Sequence, residues 1–333
     1  MIHLTNKNNY TVILTEIGAG IVSVLVPNRN GEMKDIVLGY ANEEDYFYDG
    51  PCSGKIPGRF AGRISNASFL IDGKEFKLDQ NKGKHHLHGG SEGFSNRKWG
   101  IDYSDNQRVI FSLTSPDGDQ GYPGELRVTA EYNWSDDNVL SLDIKAKSSK
   151  ETVVNLTNHT YWNLKGEDSG SILDHSLEIL AEEWLPTDED LIPTGKINSV
   201  ANTPMDFRLP KEIGKEIFNE FEALKIGKGY DNCWILGSEH NLKKGVVLSH
   251  QDSGISLEVW TTQIAAVIYT GNWLNGSPIS KSGRRYNDYD GVAIECQGYP
   301  DAPNKNNFPS TTLKAGEEYS ERIEFRINLE SLL

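Results

Sequence analysis

No run in this 333-residue sequence approaches the ~18 uninterrupted apolar residues that a membrane-spanning helix needs. Cysteine is also scarce, and the three present lie far apart with no C-x-x-C pair: Cys52, Cys233 and Cys296. An odd, scattered set is typical of reduced thiols and not of a disulfide framework. Residues 1–6 lack the basic region and apolar run of a signal peptide. We therefore expect a cytoplasmic protein that does not insert into a membrane.

Positive charge is in the minority, with 33 Lys and Arg against 48 Asp and Glu and a formal net charge of −15. Phosphate backbones are bound by clustered Lys and Arg, so this balance argues against nucleic acid as a partner. An acidic protein also disfavours anionic membranes and polyanionic substrates. The composition leaves open a neutral, polar small molecule as the ligand.

Helical periodicity and internal repeats are largely missing as well. Within 211–224, apolar residues recur every three to four positions and predict one short amphipathic helix: Ile213, Ile217, Phe221 and Leu224. The acidic turn 43–45 is a candidate for another. No ~30-residue strand–helix–strand unit is present, which excludes a parallel α/β sheet. No linker divides the chain, so we expect residues 1–333 to form a single domain.

What the sequence has in abundance is period-two alternation of apolar and polar residues. Segments 128–134 and 140–146 alternate on either side of a polar turn, which predicts a hairpin with one buried face. Segments 69–71 and 76–78 flank Asp72-Gly73, a pair suited to the positive φ angles of a tight turn. Further alternating segments are 109–113, 255–259 and 323–329. The predicted fold class is all-β: a large antiparallel, sheet-on-sheet structure with few short helices.

Segment 153–164 is predicted to be a strand, in which successive side chains point to opposite faces. One face carries hydrogen-bonding side chains with a histidine at the centre: Asn155, Thr157, His159, Tyr161 and Asn163. Such a row suits the floor of a site for a polar ligand. A solvent-facing sheet surface is the alternative that the segment leaves open.

Segment 292–297 is a second predicted strand of interest. Its apolar face carries Val292, Ile294 and Cys296, whereas Glu295 and Gln297 point the other way. A carboxylate on a strand is positioned rigidly, as a general base should be. An ordinary solvent-facing glutamate is the alternative.

Three histidines, His85, His86 and His88, fall within four residues just before Gly89-Gly90. Such a cluster first suggests a metal site. Neighbouring side chains on a strand point apart, however, and no H-E-x-x-H or Cys/His pair completes a ligand set. The glycines favour a loop that brings its backbone and one histidine close to a ligand. We predict no metal.

Two weaker signals are a pair of arginines and one aspartate. Arg59 and Arg63 lie four residues apart, and an arginine fork can orient sugar hydroxyls as well as anions. Asp231 follows a glycine-rich loop and precedes an apolar segment. A structural salt bridge or a turn cap is the default explanation for each of them.

Considered in chain order, these segments resemble the aldose 1-epimerases, also called galactose mutarotases. The matching stretches are Gly58-Arg59-x-x-x-Arg63-Ile64, Leu87-His88-Gly89-Gly90, Asp119-Gln120-Gly121-Tyr122-Pro123-Gly124, Asn155-Leu156-Thr157-Asn158-His159, Leu191-Ile192-Pro193-Thr194-Gly195, Thr203-Pro204-Met205-Asp206-Phe207-Arg208, Tyr230-Asp231, Tyr269-Thr270-Gly271-Asn272 and Glu295-x-Gln297-x-x-Pro300-Asp301-Ala302. Each stretch is weak alone, but all of them in order on a β-rich chain make a specific signal.

The resemblance implies a β-supersandwich with its active site on a concave sheet face. It implies a free monosaccharide as substrate, a monomer or homodimer, and neither a cofactor nor a metal. By position, Glu295 matches the family's catalytic base and His159 its catalytic acid. The residues that match sugar-binding positions are His88, Arg63, Asp231 and Tyr161.

Mutarotation explains why a carboxylate and an imidazole are needed. A base removes the proton of the C1 hydroxyl while an acid protonates the ring oxygen, and the opened sugar rotates about C1–C2 before it recloses. With ordinary pKa values of ~4.3 for Glu and ~6.5 for His, we expect an ionised base and a protonated acid.

The sequence departs from the family pattern at three positions near these motifs. A glutamine that commonly contacts the substrate is Val267 here, which removes one hydrogen-bond partner. Gly62 stands where the family usually has Asn, and Trp162 where it usually has Phe. The proton-transfer pair is unchanged, so we expect an altered sugar preference.

Three other functions compete with this hypothesis. A glycoside hydrolase or lyase would need two carboxylates, ~5 or ~6.5–9.5 Å apart, and Asp231 is a conceivable partner for Glu295. A non-catalytic sugar-binding module would use His159 and Glu295 only for hydrogen bonds. A metallohydrolase built on His85, His86 and His88 ranks last.

Overall fold

The computed structural model describes residues 1–330, and their regular structure is almost entirely β-strand. In chain order the strands are β1 (Ile2–Thr5), β2 (Thr11–Thr15), β3 (Gly20–Pro27), β4 (Met33–Asp35), β5 (Arg63–Ile64), β6 (Ser68–Ile71), β7 (Lys74–Lys77), β8 (His86–Leu87), β9 (Gly100–Ser104), β10 (Arg108–Ser115), β11 (Leu126–Trp134), β12 (Val139–Ser148), β13 (Thr152–Val153), β14 (Tyr161–Trp162), β15 (Ser176–Ile179), β16 (Glu183–Leu185), β17 (Asn198–Ser199), β18 (Lys211–Glu212), β19 (Asp231–Ile235), β20 (Lys243–His250), β21 (Ile255–Thr261), β22 (Ala265–Tyr269), β23 (Val292–Gln297), β24 (Thr312–Leu313) and β25 (Glu318–Leu329). The helices among these residues are α1 (Glu222–Gly227) and short 3₁₀ turns at Glu43–Tyr46, Ser65–Ala67, Phe94–Asn96, Asp119–Gly121, Ile213–Lys215 and Ala302–Asn304. No helix within residues 1–330 is long and apolar enough to cross a bilayer.

The largest sheet has nine antiparallel strands in the order β18-β15-β20-β21-β25-β12-β11-β10-β9. The hairpin predicted over 128–146 forms within it, with Trp134 of β11 opposite Leu140 of β12. Every second residue of β11 is buried, from Leu126 to Trp134. Alternation therefore identified these strands because one face of each packs into the core.

A second sheet of six strands, in the order β14-β23-β22-β19-β16-β17, packs against the first. The Trp162 ring lies 5.0 Å from the Phe325 ring of the larger sheet, centroid to centroid. Leu142, Ile294 and Trp234 belong to the same buried cluster. Each large apolar side chain in it stabilises the fold by roughly 1.5–3 kcal/mol through burial. The predicted sheet-on-sheet architecture is confirmed.

Four smaller sheets complete the described fold: β1-β2-β3-β4, β5-β8, β6-β7 and β13-β24. The β6–β7 hairpin turns at Asp72 and Gly73, whose φ angles of 49° and 77° suit the tight turn that the sequence predicts. In the β5–β8 pair Arg63 stands opposite Leu87. This pairing brings the arginine segment beside the histidine segment.

The amphipathic helix predicted over 211–224 is wrong. The segment instead contributes β18 and a 3₁₀ turn, and α1 starts only at Glu222. Its apolar residues are buried nonetheless, for example Ile213 and Ile217. At Gly214 a Cβ atom would lie 2.8 Å from the carbonyl oxygen of Leu173, so the backbone here packs directly against the Leu173 segment. Tertiary packing produced the spacing that resembled a helix.

The single strand predicted over 153–164 is also wrong. Only Thr152–Val153 and Tyr161–Trp162 pair in ladders, and the residues between them are buried. The amide of Asn155 bonds Ala61 and Gly298, and that of Asn163 bonds Gly170 and Asp290. These two asparagines connect buried loops, so the predicted row of ligand-facing side chains does not form as one floor.

Candidate functional site

The site lies on the face of the six-stranded sheet that is turned away from the core. Directly opposed residues in an antiparallel sheet share a face. In one row Glu295 stands opposite Val267, which stands opposite Cys233. The adjacent row contains Tyr161, Ala293, Tyr269 and Asp231. Members of both rows line a cleft of about 840 Å³.

Glu295 lies in the middle of β23 and is only 3% exposed. Burial raises the pKa of its carboxyl group well above the ordinary value; Asp231 raises it further, and Arg63 opposes the shift. Its Oε1 atom lies 3.4 Å from Nε2 of His159. Its Oε2 atom has no hydrogen-bond partner within residues 1–330. The strand thus holds a carboxyl group with unused hydrogen-bonding capacity at the bottom of the cleft.

His159 belongs to the irregular segment between β13 and β14. Its main chain is held from both sides, because its N–H donates to the Lys55 carbonyl and its carbonyl accepts from the Gly54 N–H, each at 2.9 Å. Burial lowers the pKa of the imidazole to about 4. Nδ1 has no hydrogen-bond partner in the described part of the chain. A proton donor or acceptor therefore faces Glu295 with capacity to spare.

His88 occupies a turn that the following glycine makes possible. Gly89 has a φ of 89°, and a Cβ atom there would lie 1.7 Å from the Gly58 carbonyl oxygen. The Gly62 N–H donates to Nδ1 of His88 at 3.2 Å. Burial lowers the pKa of His88, so the ring is neutral and Nε2 carries its proton. His88 offers the cleft a hydrogen-bond donor, and its ring lies 5.3 Å from that of His159.

Arg63 and Asp231 line the cleft from different elements, β5 and the start of β19. Burial raises the pKa of Asp231, and the positive charge of Arg63 opposes this shift. The pair supplies a cationic donor and a carboxylate acceptor around the same space. Such groups can hold several hydroxyls of one polar ligand.

Tyr161 contributes its ring and not its hydroxyl group. The O–H donates to the Pro51 carbonyl oxygen at 2.9 Å. The ring centroid lies 5.0 Å from that of His159 and 5.9 Å from that of Tyr269. Aromatic faces pack well against C–H groups, so these two rings can support the apolar face of a ligand.

The six site residues predicted from the sequence all line this cleft: Glu295, His159, His88, Arg63, Asp231 and Tyr161. The cleft also contains residues that the sequence did not single out, among them Asp49, Tyr269 and Gln297. Alternation along the strand places Gln297 on the same face as Glu295. Tyr269 belongs to Tyr269-Thr270-Gly271-Asn272, one of the stretches that resemble the family. No local pattern distinguishes Asp49, which comes from a loop far away in the sequence.

The other arginine and histidines lie apart from the contact between Glu295 and His159. Arg59 is buried and donates to the carbonyl oxygens of loop residues, including Pro116 and Pro123. Nε2 of His86 lies 2.7 Å from the Tyr122 hydroxyl, and Nε2 of His85 lies 3.1 Å from an Asp190 carboxylate oxygen. For Arg59 the structural alternative is therefore right, and His85, His86 and His88 do not converge on one point.

One group of histidine and acidic side chains in residues 1–330 has ligand atoms within 4.8 Å of one another: His88, His159 and Glu295. Imidazole and carboxylate are common zinc ligands. The 3.4 Å separation between Nε2 of His159 and Oε1 of Glu295 equally suits two groups that exchange a proton. A cation bound by these three side chains would lie between His159 and Glu295.

Solved structures share this architecture. The GalM/aldose epimerase homologue from C. elegans matches with a TM-score of 0.91 and 30% sequence identity, over 98% of each chain. The galactose 1-epimerase from Lactobacillus acidophilus NCFM matches with a TM-score of 0.86 and 29% identity, over 98% of this chain and 93% of that chain. Fold and site together define a galactose mutarotase-like β-supersandwich, as predicted.

Sequence comparison gives the family. The aldose 1-epimerase family model matches residues 1–326. The aldose 1-epimerase of Escherichia coli (strain K12) is 39% identical over 330 residues, which cover 97% of this chain and 94% of that protein. The galactose mutarotase of Bos taurus is 42% identical over 312 residues, which cover 94% of this chain and 89% of that protein. The chain belongs to the aldose 1-epimerase family.

Proposed function

We propose that this chain is a cofactor-independent aldose 1-epimerase that interconverts the α and β anomers of free aldohexoses of the glucose and galactose type. The observation that carries the proposal is the contact between His159 and Glu295, 3.4 Å apart at the cleft floor, each with an unpartnered polar atom. Anomerisation needs one group that takes a proton and one that gives a proton. Each such group typically contributes ~10²–10⁴-fold to the rate.

Glu295 acts as the base and His159 as the acid. Glu295 removes the proton from the C1 hydroxyl, and His159 delivers a proton to the ring oxygen, so that the C1–O5 bond breaks and the aldehyde forms. Rotation about C1–C2 presents the other face of the aldehyde to the C5 hydroxyl. Ring closure then reverses the proton transfers, and the two residues return to their starting states.

Burial changes the protonation states expected from ordinary pKa values. It raises the pKa of Glu295 and lowers that of His159, so it favours the neutral form of both groups. The neutral pair and the ion pair hold the same single proton, and the two residues therefore titrate as a unit. Once ionised, Glu295 is a stronger base than a free glutamate. Once protonated, His159 is a stronger acid than a free histidine.

The surrounding residues bind the sugar. His88 and Arg63 donate hydrogen bonds to hydroxyls, Asp231 accepts one, and the ring of Tyr161 packs on a C–H face. Beside Glu295 the row continues with Val267 and Cys233, so this part of the floor has no strong hydrogen-bonding group. The substrate class is an uncharged monosaccharide held by polar walls over a partly apolar floor.

Polarimetry of freshly dissolved α-D-glucose and α-D-galactose tests the proposal. The protein should accelerate the decay of optical rotation at pH 7, and Glu295→Gln should lose most of that acceleration. Full activity in the Glu295→Gln variant would contradict the mechanism. Sugar binding by calorimetry without mutarotation would favour a binding module, and release of reducing ends from aryl glycosides would favour a hydrolase.

Three further expectations remain predictions from the sequence. They are a single domain over residues 1–333, a cytoplasmic location and a monomeric or homodimeric state. Sedimentation of the purified chain measures the last of these. The proposed proton-transfer mechanism uses residues of one chain, so it does not depend on these three expectations.

A further inference from the structure

A buried ion pair joins the two ends of loop 49–55, whose backbone is hydrogen-bonded to His159. Lys55 is 0% exposed, and its Nζ atom lies 2.7 Å from Oδ1 of Asp49, whose side chain is also buried. Nζ donates a second hydrogen bond to the Tyr46 carbonyl oxygen at 2.5 Å. A fully buried lysine is rare because a charge is costly to remove from water. Lys55 is such a lysine, and the interactions that hold it in place point to a functional role.

Asp49 organises the loop that leads to Lys55. Its carboxylate accepts hydrogen bonds from the N–H groups of Cys52 at 3.1 Å and Ser53 at 2.8 Å. It also accepts one from the Tyr40 hydroxyl at 3.0 Å. With the Lys55 contact, these bonds fix loop 49–55 at both ends and in the middle.

The same loop holds two residues of the site through its backbone. The Lys55 carbonyl accepts from the His159 N–H, and the Gly54 N–H donates to the His159 carbonyl. The Pro51 carbonyl accepts from the Tyr161 hydroxyl. Loop 49–55, whose two ends form the ion pair, therefore connects that pair to His159 and Tyr161.

We propose that the Lys55–Asp49 pair is a positioning device for His159: it anchors the loop that holds the His159 main chain and the Tyr161 hydroxyl, and it places a fixed positive charge behind the imidazole. Both residues act through the loop and through the field, not by proton transfer. The kinetic consequence rests on the proposed role of His159 as the acid.

The positive charge of Lys55 acts on the His159 imidazole, which has few other charged groups around it. His159 is faced by Glu295, by the neutral ring of His88, and by the rings of Tyr161 and Tyr269. Arg63 and Asp231 exert their effects on Glu295. Burial lowers the pKa of His159, and the Lys55 charge adds to this shift. Cys52, in the same loop, has its thiol pKa raised to about 12 by burial and is uncharged at neutral pH.

Two substitutions that each remove one charge distinguish the electrostatic effect of the pair on His159 from its anchoring of loop 49–55. Lys55→Met removes the positive charge, and Asp49→Asn leaves it without its counter-ion, while both weaken the loop anchor. The His159 imidazole is followed by NMR titration from pH 3 to 8, assigned with His159→Gln. We expect Lys55→Met to raise the pKa of His159 by about one unit, a tenfold change in proton affinity, and Asp49→Asn to lower it.

The double variant Lys55→Met/Asp49→Asn carries the test if a single variant does not fold, because removing both charges avoids an unpaired buried ion. There we expect a smaller rise in the pKa of His159. An unchanged pKa in Lys55→Met and in the double variant, or shifts of the same sign in both single variants, would overturn the proposal.

Kinetics provide the second readout. We expect Lys55→Met to lower kcat for mutarotation about tenfold with little change in KM, because a less acidic, less firmly held His159 donates its proton more slowly. An unchanged kcat would count against the positioning role. If wild type catalyses no mutarotation, the proposed function fails, whereas opposite pKa shifts in the NMR titration would still support the arrangement of charges.

Discussion

Two buried histidines have pKa values lowered to about 4 by burial, and only one belongs to the cleft. At His175 both ring nitrogens have partners: Nδ1 lies 3.1 Å from an Asp174 oxygen, and Nε2 accepts from the Leu164 N–H at 2.9 Å. At His159 the Nδ1 atom has no partner within residues 1–330, and Nε2 faces Glu295 across the cleft floor. A shifted pKa alone therefore does not identify a reactive group. At His159 the shifted pKa coincides with an unpartnered ring nitrogen and a neighbouring carboxyl group at the cleft, and this combination supports the proposed role.

The carboxyl groups beside the two histidines also differ: Asp174 lies beside His175, and Glu295 lies beside His159. The hydrogen bond between Asp174 and His175 lowers the pKa of the Asp174 carboxyl well below its ordinary value. This carboxyl is therefore ionised throughout the neutral range. Burial raises the pKa of Glu295. Asp174 keeps its charge in the neutral range, whereas burial favours the neutral form of both Glu295 and His159. A pair of this kind can pass a proton to a ligand and recover it.

The largest expected difference between the clusters is in the rate of mutarotation. His159→Gln should reduce kcat by ~10²–10⁴-fold, because it removes a positioned proton-transfer group. The matched variant His175→Gln keeps an oxygen that can accept from the Leu164 N–H and should leave the rate unchanged. Polarimetry with both variants measures this. Comparable losses in the two variants would mean that the comparison does not separate catalysis from structure.

Stability at acidic pH should depend strongly on His175 and little on the Glu295–His159 pair. His175 has a folded pKa below its unfolded value of ~6.5, so the unfolded chain binds the proton first and the stabilisation is lost as pH falls from ~6.5 to ~4. This shift corresponds to about 3 kcal/mol. At the site, Glu295 retains a proton over the range in which His159 does not, so the two contributions offset each other.

Urea unfolding at pH 7 and pH 4.5 checks this difference. His175→Gln should flatten the fall in unfolding free energy over this pH range by about 2 kcal/mol. Glu295→Gln should steepen it, because it leaves the His159 contribution without its counterpart. The same change of slope in both variants would show that the site residues do not share a proton as inferred.

The sequence predicts the strands better than it predicts the segments between them. Alternation is a local consequence of burying one face, so β11, β12 and β25 can be predicted from their own residues. The spacing of Ile213, Ile217 and Leu224 has a different cause, because those residues pack from a 3₁₀ turn, an irregular segment and α1. Periodicity cannot distinguish a helix from a chain that is buried by contacts far away in sequence.

For the site, the ordered motifs predict which residues meet and not how they are protonated. Glu295 and His159 follow from their resemblance to family positions, whereas their pKa shifts arise from burial by many elements at once. Lys55 and Asp49 have no local signal either, since a lysine and an aspartate six residues apart usually lie on the surface. Only the folded chain shows that the side chains of Lys55 and Asp49 are buried and paired beside the cleft.

A smaller effect should appear when the negative charge next to Glu295 is removed. Asp231 raises the pKa of Glu295, so Asp231→Asn should lower that pKa and move the acid limb of kcat/KM to lower pH, making Glu295 more like Asp174. Loss of a charged acceptor should also raise KM by about tenfold. pH–rate profiles measure both. Asp174→Asn is the control, and a limb that moves equally in this variant would contradict the assignment.

The smallest expected effect comes from the apolar row beside Glu295. Val267 lies opposite Glu295 but takes no part in the proposed proton transfer, so a polar group there should govern which sugar binds more than how fast it reacts. Val267→Gln adds one polar group opposite Glu295 and should change the ratio of KM values for galactose, glucose and xylose by about 2–10-fold, the equivalent of one hydrogen bond, with kcat little changed. Val267→Leu is the matched control, because it adds bulk without polarity. If both variants change the ratio alike, the shape of the floor and not its hydrogen bonding determines the sugar preference.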